Sequence, residues 1–255
     1  MDFIKVYAGF DGTRLPRLMR AAAQHRLPVD GHAPPGMSLA RLAALGMRTV
    51  EHLDFDTFKE CMAGEDSSFD RVIAARFRNS GEAIPAIYAA FAAAVDTPDC
   101  HARLRRAAEA GLVLTPTLVA TYMSHAEAQR LLGVLPANQR SGCELYLRQF
   151  DGVSDAVRAR VVEASRRLVG MVVAAGVPLL AGTDAPTFCA APDESLVLEL
   201  QMLADGGLPP LSVLQAATSL PARVFDAEDR FGANPLSHHL PEVTNAAFAT
   251  RDGDE

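Results

Sequence analysis

The stretch LPVDGHAPPGMSLARLAALGMRTVEHLD, residues 27–54, decides the fold of this chain. It contains two short strand-like runs, at 28–31 and 48–50, and a histidine follows each run within two residues, at His32 and His52. Short runs of this kind with a helical segment between them are typical of parallel strands joined by a crossover helix. The stretch therefore predicts one βαβ unit with a histidine at the end of each strand.

The segment between these two strands has clear helix signals. Ser38 is a good N-cap, Gly46 ends the helix, and the apolar positions on one helical face are Leu39, Leu42 and Leu45. Similar units occur along the chain, with predicted strands at 3–7, 28–31, 48–50, 112–114 and 178–181. We predict an α/β fold, a partial TIM-type (β/α)₈ barrel of about five parallel strands.

The remaining segments read mostly as helices. Residues 53–111 are too long for a plain connection and predict a long helical insertion after the third strand. Further helices are predicted to end at Gly176, to run from Asp193 to Leu203, and to follow Pro209-Pro210. We expect residues 1–232 to form the partial barrel domain, and residues 233–255 to be the remnant of an accessory segment or a disordered tail.

Composition excludes several classes of protein. The chain has 255 residues, 49% of them hydrophobic, and 24 basic against 31 acidic residues give a net charge of −7. Basic clusters interleaved with aromatics, which nucleic-acid surfaces need, are missing, and so is an apolar run of membrane-spanning length. The four cysteines form no C-x-x-C pair, so we expect free thiols in a reducing compartment and a cytoplasmic protein.

Polar residues at strand ends are the candidates for chemistry, because the carboxyl ends of parallel strands meet at one edge of the sheet. Lys5 lies in the first strand, His32 and His52 follow the second and third, and Asp184 follows the fifth. Imidazole is the commonest metal ligand in proteins. Taken singly, each residue also fits a structural role: a packed histidine, an Asx-turn aspartate or a surface lysine.

Several segments together resemble the amidohydrolase superfamily, specifically its imidazolonepropionase and Xaa-Pro dipeptidase relatives. From residue 3 to about residue 232 the matching segments, in order, are FIKVY, LPVDGHA, LARLAALGMRTVEHLD, AGLVLTPTL, AGVPLLAGTDAP and ESLVLELQMLADGGLPPLSVLQAATSLPARVF. This resemblance implies a metal-dependent hydrolase of amide or other C–N bonds, with a small amide or dipeptide-like substrate.

The resemblance also implies roles for individual residues. Lys5 matches the carboxylated lysine of the family's fourth strand, His32 and His52 the ligands of the fifth and sixth strands, and Asp184 the aspartate of the eighth. These four residues are the expected metal ligands, with zinc the expected divalent metal, and Asp184 is the expected catalytic proton carrier. Tyr122 is a candidate substrate contact, and Thr183 and Thr187 are candidate hydrogen-bond donors beside Asp184.

One family motif does not occur in the sequence. The family's first strand carries His-x-His, whereas no two of the seven histidines here stand at i and i+2. The match begins at the family's fourth strand, so we expect one metal site in this chain where a complete member has two. An open barrel edge also makes self-association possible.

Three interpretations follow. The chain is a fragment of an ordinary amidohydrolase, or it is a catalytically inactive degenerate barrel that serves as a ligand-binding or assembly module. The third is a working single-metal hydrolase built from Lys5, His32, His52 and Asp184.

Overall fold

A parallel sheet is the centre of the fold. The computed structural model describes residues 3–7, 9–34, 37–53, 91, 98–149 and 153–231. Four strands in this part of the chain form one sheet in sequence order: β1 (Ile4–Val6), β2 (Val29–His32), β3 (Thr49–Glu51) and β4 (Val113–Thr115). All three pairings are parallel. The predicted α/β class with parallel strands is confirmed, and each of these strands lies within one residue of its predicted bounds.

Among the described residues, the predicted fifth strand, at 178–181, is seen to form a single bridge. Leu179 pairs with Leu114 in parallel, and the N–H of Leu180 donates to the carbonyl of Leu114. The next N–H, at Ala181, donates 2.9 Å to the carbonyl of Ala216 at the end of a helix. The pairing therefore stops after one residue, because the chain turns away from β4.

Helices surround the sheet, and their bounds follow the sequence signals. Ser38 accepts the Arg41 N–H at 3.1 Å, which confirms the predicted N-cap. A 3₁₀ turn, Gly12–Arg14, precedes α1 (Leu15–Gln24). The other helices are α2 (Leu39–Ala44), α3 (Pro98–Glu109), α4 (Leu118–Thr121), α5 (His125–Val134), α6 (Ala137–Gln149), α7 (Asp155–Ala174), α8 (Glu194–Asp205), α9 (Pro210–Ala217) and α10 (Ser219–Val224). Most of the predicted insertion at 53–111 and the predicted tail at 233–255 lie outside the described residues.

Gly31 allows β1 and β2 to pair closely. Its φ is +122°, and a Cβ placed there would stand 2.3 Å from the carbonyl oxygen of Val6. Any side chain would force the two backbones apart, so glycine is required at this point of the sheet.

Two apolar cores hold the helices in place. The larger core lies between the sheet and its helices and contains Val6, Val50 and Leu114 from the strands. The smaller core packs α4, α5 and α6 against the segment at 189–191, with Val119, Leu131 and Ala190 at its centre. Close packing of this kind fixes the positions of the loops that connect the elements.

The cysteines correct one prediction. Cys143 on α6 and Cys189 form a disulfide, and Cys100 is also disulfide-bonded. The expectation of free thiols is therefore wrong for these residues, and it no longer supports a reducing compartment. In the described part of the chain, none of the helices combines the length and the apolar character that a membrane span requires.

Candidate metal centre

The register of the sheet brings three polar residues to one face: the predicted site residues Lys5 and His32, and Glu51, which precedes His52. Lys5 pairs with Asp30 across β1 and β2, and His32 pairs with Glu51 across β2 and β3. Paired residues of adjacent strands point to the same face, and residues two apart on one strand do as well. Because Asp30 and His32 are two apart, Lys5, His32 and Glu51 all face the same side of the sheet.

His52 joins this face through an unusual backbone conformation. Simple alternation would place it opposite Glu51, but its φ is +65°, in the left-handed region. Its N–H donates 2.8 Å to the carbonyl of Thr115, and its Nδ1 lies 2.7 Å from Oγ1 of Thr117. The residue is buried, with 9% of its surface exposed. Backbone and side chain are therefore both fixed, with Nε2 directed to the site.

Three side chains converge there, and we call His32, Glu51 and His52 the His-Glu-His group. Their ligand atoms all lie within 4.8 Å of one another. The two Nε2 atoms are 3.2 Å apart, and Glu51 Oε2 lies 3.9 Å from each. Lys5 Nζ lies 2.7 Å from the same Glu51 oxygen. The side chains of the group are 11–22% exposed, so a small molecule can reach them from solvent.

The geometry of the His-Glu-His group fits a divalent cation. Two nitrogen ligands about 2.0–2.1 Å from a tetrahedral zinc ion stand about 3.3 Å apart, close to the 3.2 Å between the two Nε2 atoms. Two imidazoles and one carboxylate are also the ligand set of several catalytic zinc sites that keep an open position. The separations of 3.9 Å to Glu51 need only a small side-chain movement to reach the same centre.

Asp184 lies outside the His-Glu-His group. It is exposed in a turn after the bridge at Leu179, with φ +56°, and its carbonyl accepts the Thr187 N–H at 2.9 Å. Thr183 Oγ1 accepts the N–H of Ala185 at 3.1 Å. Both threonines therefore stabilise the turn that carries Asp184. The turn packs closely against the sheet at Gly182, where a Cβ would stand 2.6 Å from Cγ2 of Thr115.

Tyr122 is buried, with 1% of its surface exposed. Its hydroxyl donates 2.6 Å to the carbonyl of Leu53, the residue after His52, and its ring stacks on Phe91 at 5.3 Å. Tyr122 also lines an apolar cavity of about 210 Å³ formed with Met123, Tyr146 and Val161. In this structure Tyr122 holds the end of β3, and its ring belongs to a cavity whose walls do not include the His-Glu-His group.

Sequence reasoning missed three residues of the site. Glu51 supplies the carboxylate of the group, Thr117 contacts His52, and the ring of Tyr7 lies 4.8 Å from the ring of His32. Glu51 and Thr117 both stand at strand ends, in VEH and TPT, which is the signal that singled out the histidines. Only the register of β2 and β3 for Glu51, and the contact with His52 for Thr117, show that their side chains belong to the site.

Solved structures with a similar fold are amidohydrolases. A bottromycin amidohydrolase matches with a TM-score of 0.60 and 23% identity, over 90% of this chain and 47% of that protein. Another amidohydrolase matches with a TM-score of 0.51 and 20% identity, over 91% and 44%. A Xaa-Pro dipeptidase with bound methionine matches at 0.49 and 15%, over 91% and 45%. The first two confirm that the chain has the partial barrel fold expected from the amidohydrolase resemblance.

The chain spans less than half the length of these similar proteins. No protein-family model and no curated protein matches the chain. The similar structures therefore establish the fold alone.

Proposed function

We propose that this chain carries the metal centre of a hydrolase that cleaves amide or other C–N bonds. The observation that supports the proposal most strongly is the pair of Nε2 atoms 3.2 Å apart, with Glu51 3.9 Å from each. The position of the two imidazoles at the ends of adjacent strands, with side chains 17% and 11% exposed, supports their role as a ligand pair.

His32, His52 and Glu51 are the residues that would hold the cation. Imidazole and carboxylate ligands suit zinc among several divalent metals, and zinc is the metal that we propose. When bound, such a cation supplies a Lewis acid for the scissile carbonyl and lowers the pKa of water. The low exposure of the two histidine side chains, 17% and 11%, limits competing water around them.

Thr117 can stabilise the tautomer of His52 that metal binding needs, because its hydroxyl can accept a hydrogen from Nδ1. For Nε2 to present its lone pair, the ring hydrogen must be on Nδ1, where it is donated to Thr117 Oγ1 over 2.7 Å. The hydrogen bond also prevents the ring from rotating. Thr117 therefore keeps His52 ready as a ligand before any metal arrives.

Lys5 is the site of a carbamate in this proposal. The ammonium group first releases one proton to water, and the neutral amine then forms an N–C bond to carbon dioxide and releases a second proton, so that an anionic carbamate replaces a cation. In the unmodified state the ammonium group pairs with Glu51 Oε2 at 2.7 Å. Carboxylation ends this ion pair and leaves Glu51 Oε2 free to serve the metal. A signal from ¹³C-labelled carbamate on Lys5, absent in Lys5→Arg, tests this step.

Asp184 is the proton carrier of the proposal. Its carboxylate oxygen takes a proton from water and passes it to the leaving amine, a role that its exposed position in a turn permits. The substrate class is a small amide or a dipeptide-like molecule. The chain spans less than half of the similar proteins, which supports the interpretation that residues 1–232 are one part of a longer barrel that carries the complete activity.

Zinc titration of the chain tests the metal centre. We expect at most one zinc ion per chain, with binding lost in His32→Ala and His52→Ala. His25→Ala is the matched control, because His25 is exposed at the end of α1 and away from the site. Binding of two zinc ions, or equal affinity in wild type and the two site variants, would contradict the proposed centre.

Hydrolysis of a panel of N-acyl amino acids and Xaa-Pro dipeptides tests the activity separately. Any turnover by this chain should disappear in His32→Ala and persist in His25→Ala. An unchanged rate in His32→Ala would show that the hydrolysis does not come from this centre.

A second candidate function, an assembly module, rests on the edge of the sheet. Within the described residues β1 pairs only with β2, and Phe3 and Tyr7 beside it are 41% and 69% exposed. An unpaired edge with exposed aromatics favours pairing with another chain. Sedimentation should then show association that Phe3→Lys reduces and the control Leu145→Lys does not. A monomer at all concentrations would exclude this function.

A further inference from the structure

Glu199 is a buried carboxyl group that the proposed chemistry does not use. It lies on α8 with 0% of its surface exposed. Burial of a carboxylate costs several kcal/mol unless hydrogen bonds offset it. Its Oε2 accepts the Val119 N–H at 2.8 Å, and the carboxyl group also accepts the N–H of Leu118. Both donors belong to α4, 80 residues earlier in the chain.

These contacts mean that Glu199 caps α4 from another helix. The first N–H groups of a helix have no partner within it, and the N-cap side chain normally accepts one of them. Thr117 occupies the N-cap position of α4, but its side chain makes no capping hydrogen bond. Its hydroxyl lies 2.7 Å from Nδ1 of His52 instead. Glu199 thus performs the capping that Thr117 would otherwise perform.

Thr117 also needs support for its backbone. Its φ and ψ are 48° and 47°, the left-handed conformation, which is unfavourable for a β-branched residue. Conformations of this kind cost on the order of 1–3 kcal/mol and persist where the surroundings hold them. The residues that follow Thr117 directly, Leu118 and Val119, are the ones that Glu199 binds.

We infer that Glu199 is a positioning residue for the metal centre: by capping α4 it holds Thr117 in the left-handed conformation that directs its hydroxyl to His52. The inference rests on the proposed function, since it assumes that the contact between Thr117 and His52 serves to present Nε2 of His52 as a metal ligand. Coupling runs from Glu199 through two backbone N–H groups to Thr117, and from Thr117 to the imidazole.

Two further observations fit this role. Glu199 Oε1 is buried without a hydrogen-bond partner in the described structure, so one oxygen of the carboxyl group does the capping. Burial raises the pKa of Glu199 to about 8, so a neutral side chain of the same shape should be tolerated.

Ser195, one turn earlier on α8, offers a matched control. It is equally buried, and its hydroxyl also has no partner among the described residues.

The experiment compares three variants of the full chain: Glu199→Gln, Glu199→Met and Ser195→Ala. Glutamine keeps an oxygen acceptor for the two N–H groups, methionine fills the space without one, and Ser195→Ala changes a buried polar group that caps nothing. Zinc affinity, the melting temperature and the ¹⁵N shifts of the His52 ring are measured for each. We expect Glu199→Met to lose about 10- to 100-fold in zinc affinity and to change the His52 shifts, while the other two variants retain both.

Equal zinc affinity and His52 shifts in wild type and a folded Glu199→Met would overturn the inference. So would an equal loss in Ser195→Ala, which would indicate a general effect of the α8 core. If Glu199→Met does not fold, Thr117→Val and Thr117→Ser decide: we expect valine to weaken zinc binding and serine to retain it, and equal affinity in the two would contradict the coupling.

Failure of the proposed function gives a different result. A wild-type chain that binds no zinc removes the metal centre, but the His52 ¹⁵N shifts of the metal-free protein still report whether Nδ1 carries the hydrogen. A shift change in Glu199→Met with none in Ser195→Ala supports the positioning role even then. Identical His52 shifts in all the proteins would overturn it.

Discussion

The His-Glu-His group and the turn that carries Asp184 are built in different ways. His32 and Glu51 lie within paired strands, and the register alone sets their separation. Asp184 lies in an exposed turn whose position depends on contacts further along, where Phe188 packs against Tyr146 at 5.2 Å and Cys189 is bonded to Cys143. The His-Glu-His group is therefore held by the sheet, directly for His32 and Glu51 and through the hydrogen bond from His52 to Thr115, whereas the turn is held by side-chain anchors to α6.

This difference teaches where each part of the site is sensitive. Changes to the sheet should disturb the metal centre, and changes to the anchors should disturb Asp184 while the metal ligands remain in place. Because the two regions have different structural supports, variants can disturb one of them and leave the other in place.

The largest expected effect distinguishes the two regions by zinc affinity. His52→Ala removes one of two nitrogen ligands and should lower affinity by at least about 10³-fold, or ~4 kcal/mol. Asp184→Asn removes a carboxylate outside the group and should leave affinity near the wild-type value. Competition titration with a chromophoric chelator measures both.

A comparable loss of zinc affinity in Asp184→Asn would contradict the separation of the metal ligands from the turn. It would mean that Asp184 binds the same metal ion as the His-Glu-His group, so that residues of the strands and of the turn form one centre.

The disulfide tests the anchor of the turn. Cys143 and Cys189 are separated by 46 residues, and closing a loop of that length stabilises the folded state by up to about 4 kcal/mol in the chain-entropy model. The double variant Cys143→Ala/Cys189→Ala should therefore unfold at lower urea concentration and keep the zinc affinity of the wild type. A parallel loss of zinc affinity would show that the anchor also supports the metal ligands.

Substitution of two glycines compares the tolerance of the sheet with that of the contact between the turn and the sheet. Gly31→Ala places a Cβ 2.3 Å from a backbone oxygen of β1, and Gly182→Ala places one 2.6 Å from a side-chain methyl group of Thr115. We expect Gly31→Ala to cost about 3 kcal/mol or more in the free energy of unfolding and Gly182→Ala about 1–3 kcal/mol, because a side chain yields more easily than a paired strand. Urea unfolding measures both costs, and a larger cost for Gly182→Ala would reverse this ranking.

The fold was accessible from the sequence because strands and helices here follow local signals. The strand at 112–114, for example, is bounded by Gly111 and by Thr115-Pro116, and the structure has it at Val113–Thr115. The strand predicted at 178–181 is reduced to one bridge because Ala181 bonds to Ala216, a contact 35 residues away in sequence that no local pattern contains.

The site was only partly accessible, again for physical reasons. His32 and His52 each end an apolar run, which marks them in the sequence. Glu51 also ends a strand, but its role as a ligand depends on its pairing with His32 across β2 and β3, which no local pattern contains. The left-handed backbone at His52, which brings the imidazole to the side of Glu51, is likewise set by its hydrogen bond to Thr115 rather than by its neighbours in sequence.

The smallest expected effect concerns Glu199, which links the two regions because its helix begins just after the anchored turn. Burial raises the pKa of Glu199 to about 8 from the 4.5 of a free carboxyl group. Between these values the folded state holds a proton that the unfolded state has lost. Stability therefore decreases as pH rises through this window, by about 1.4 kcal/mol per pH unit between pH 6 and 7, and the decrease ends above about pH 8.

Urea unfolding at pH 6 and 7 measures this slope, and Glu199→Gln is the control because glutamine does not titrate. All other ionisable groups are the same in both proteins, so the difference between the two slopes isolates Glu199. A slope that is equal in wild type and Glu199→Gln would mean that the carboxyl group has its ordinary pKa. It would then be charged at neutral pH while it caps α4, and the hydrogen bonds from Leu118 and Val119 would be the stronger, charge-assisted kind.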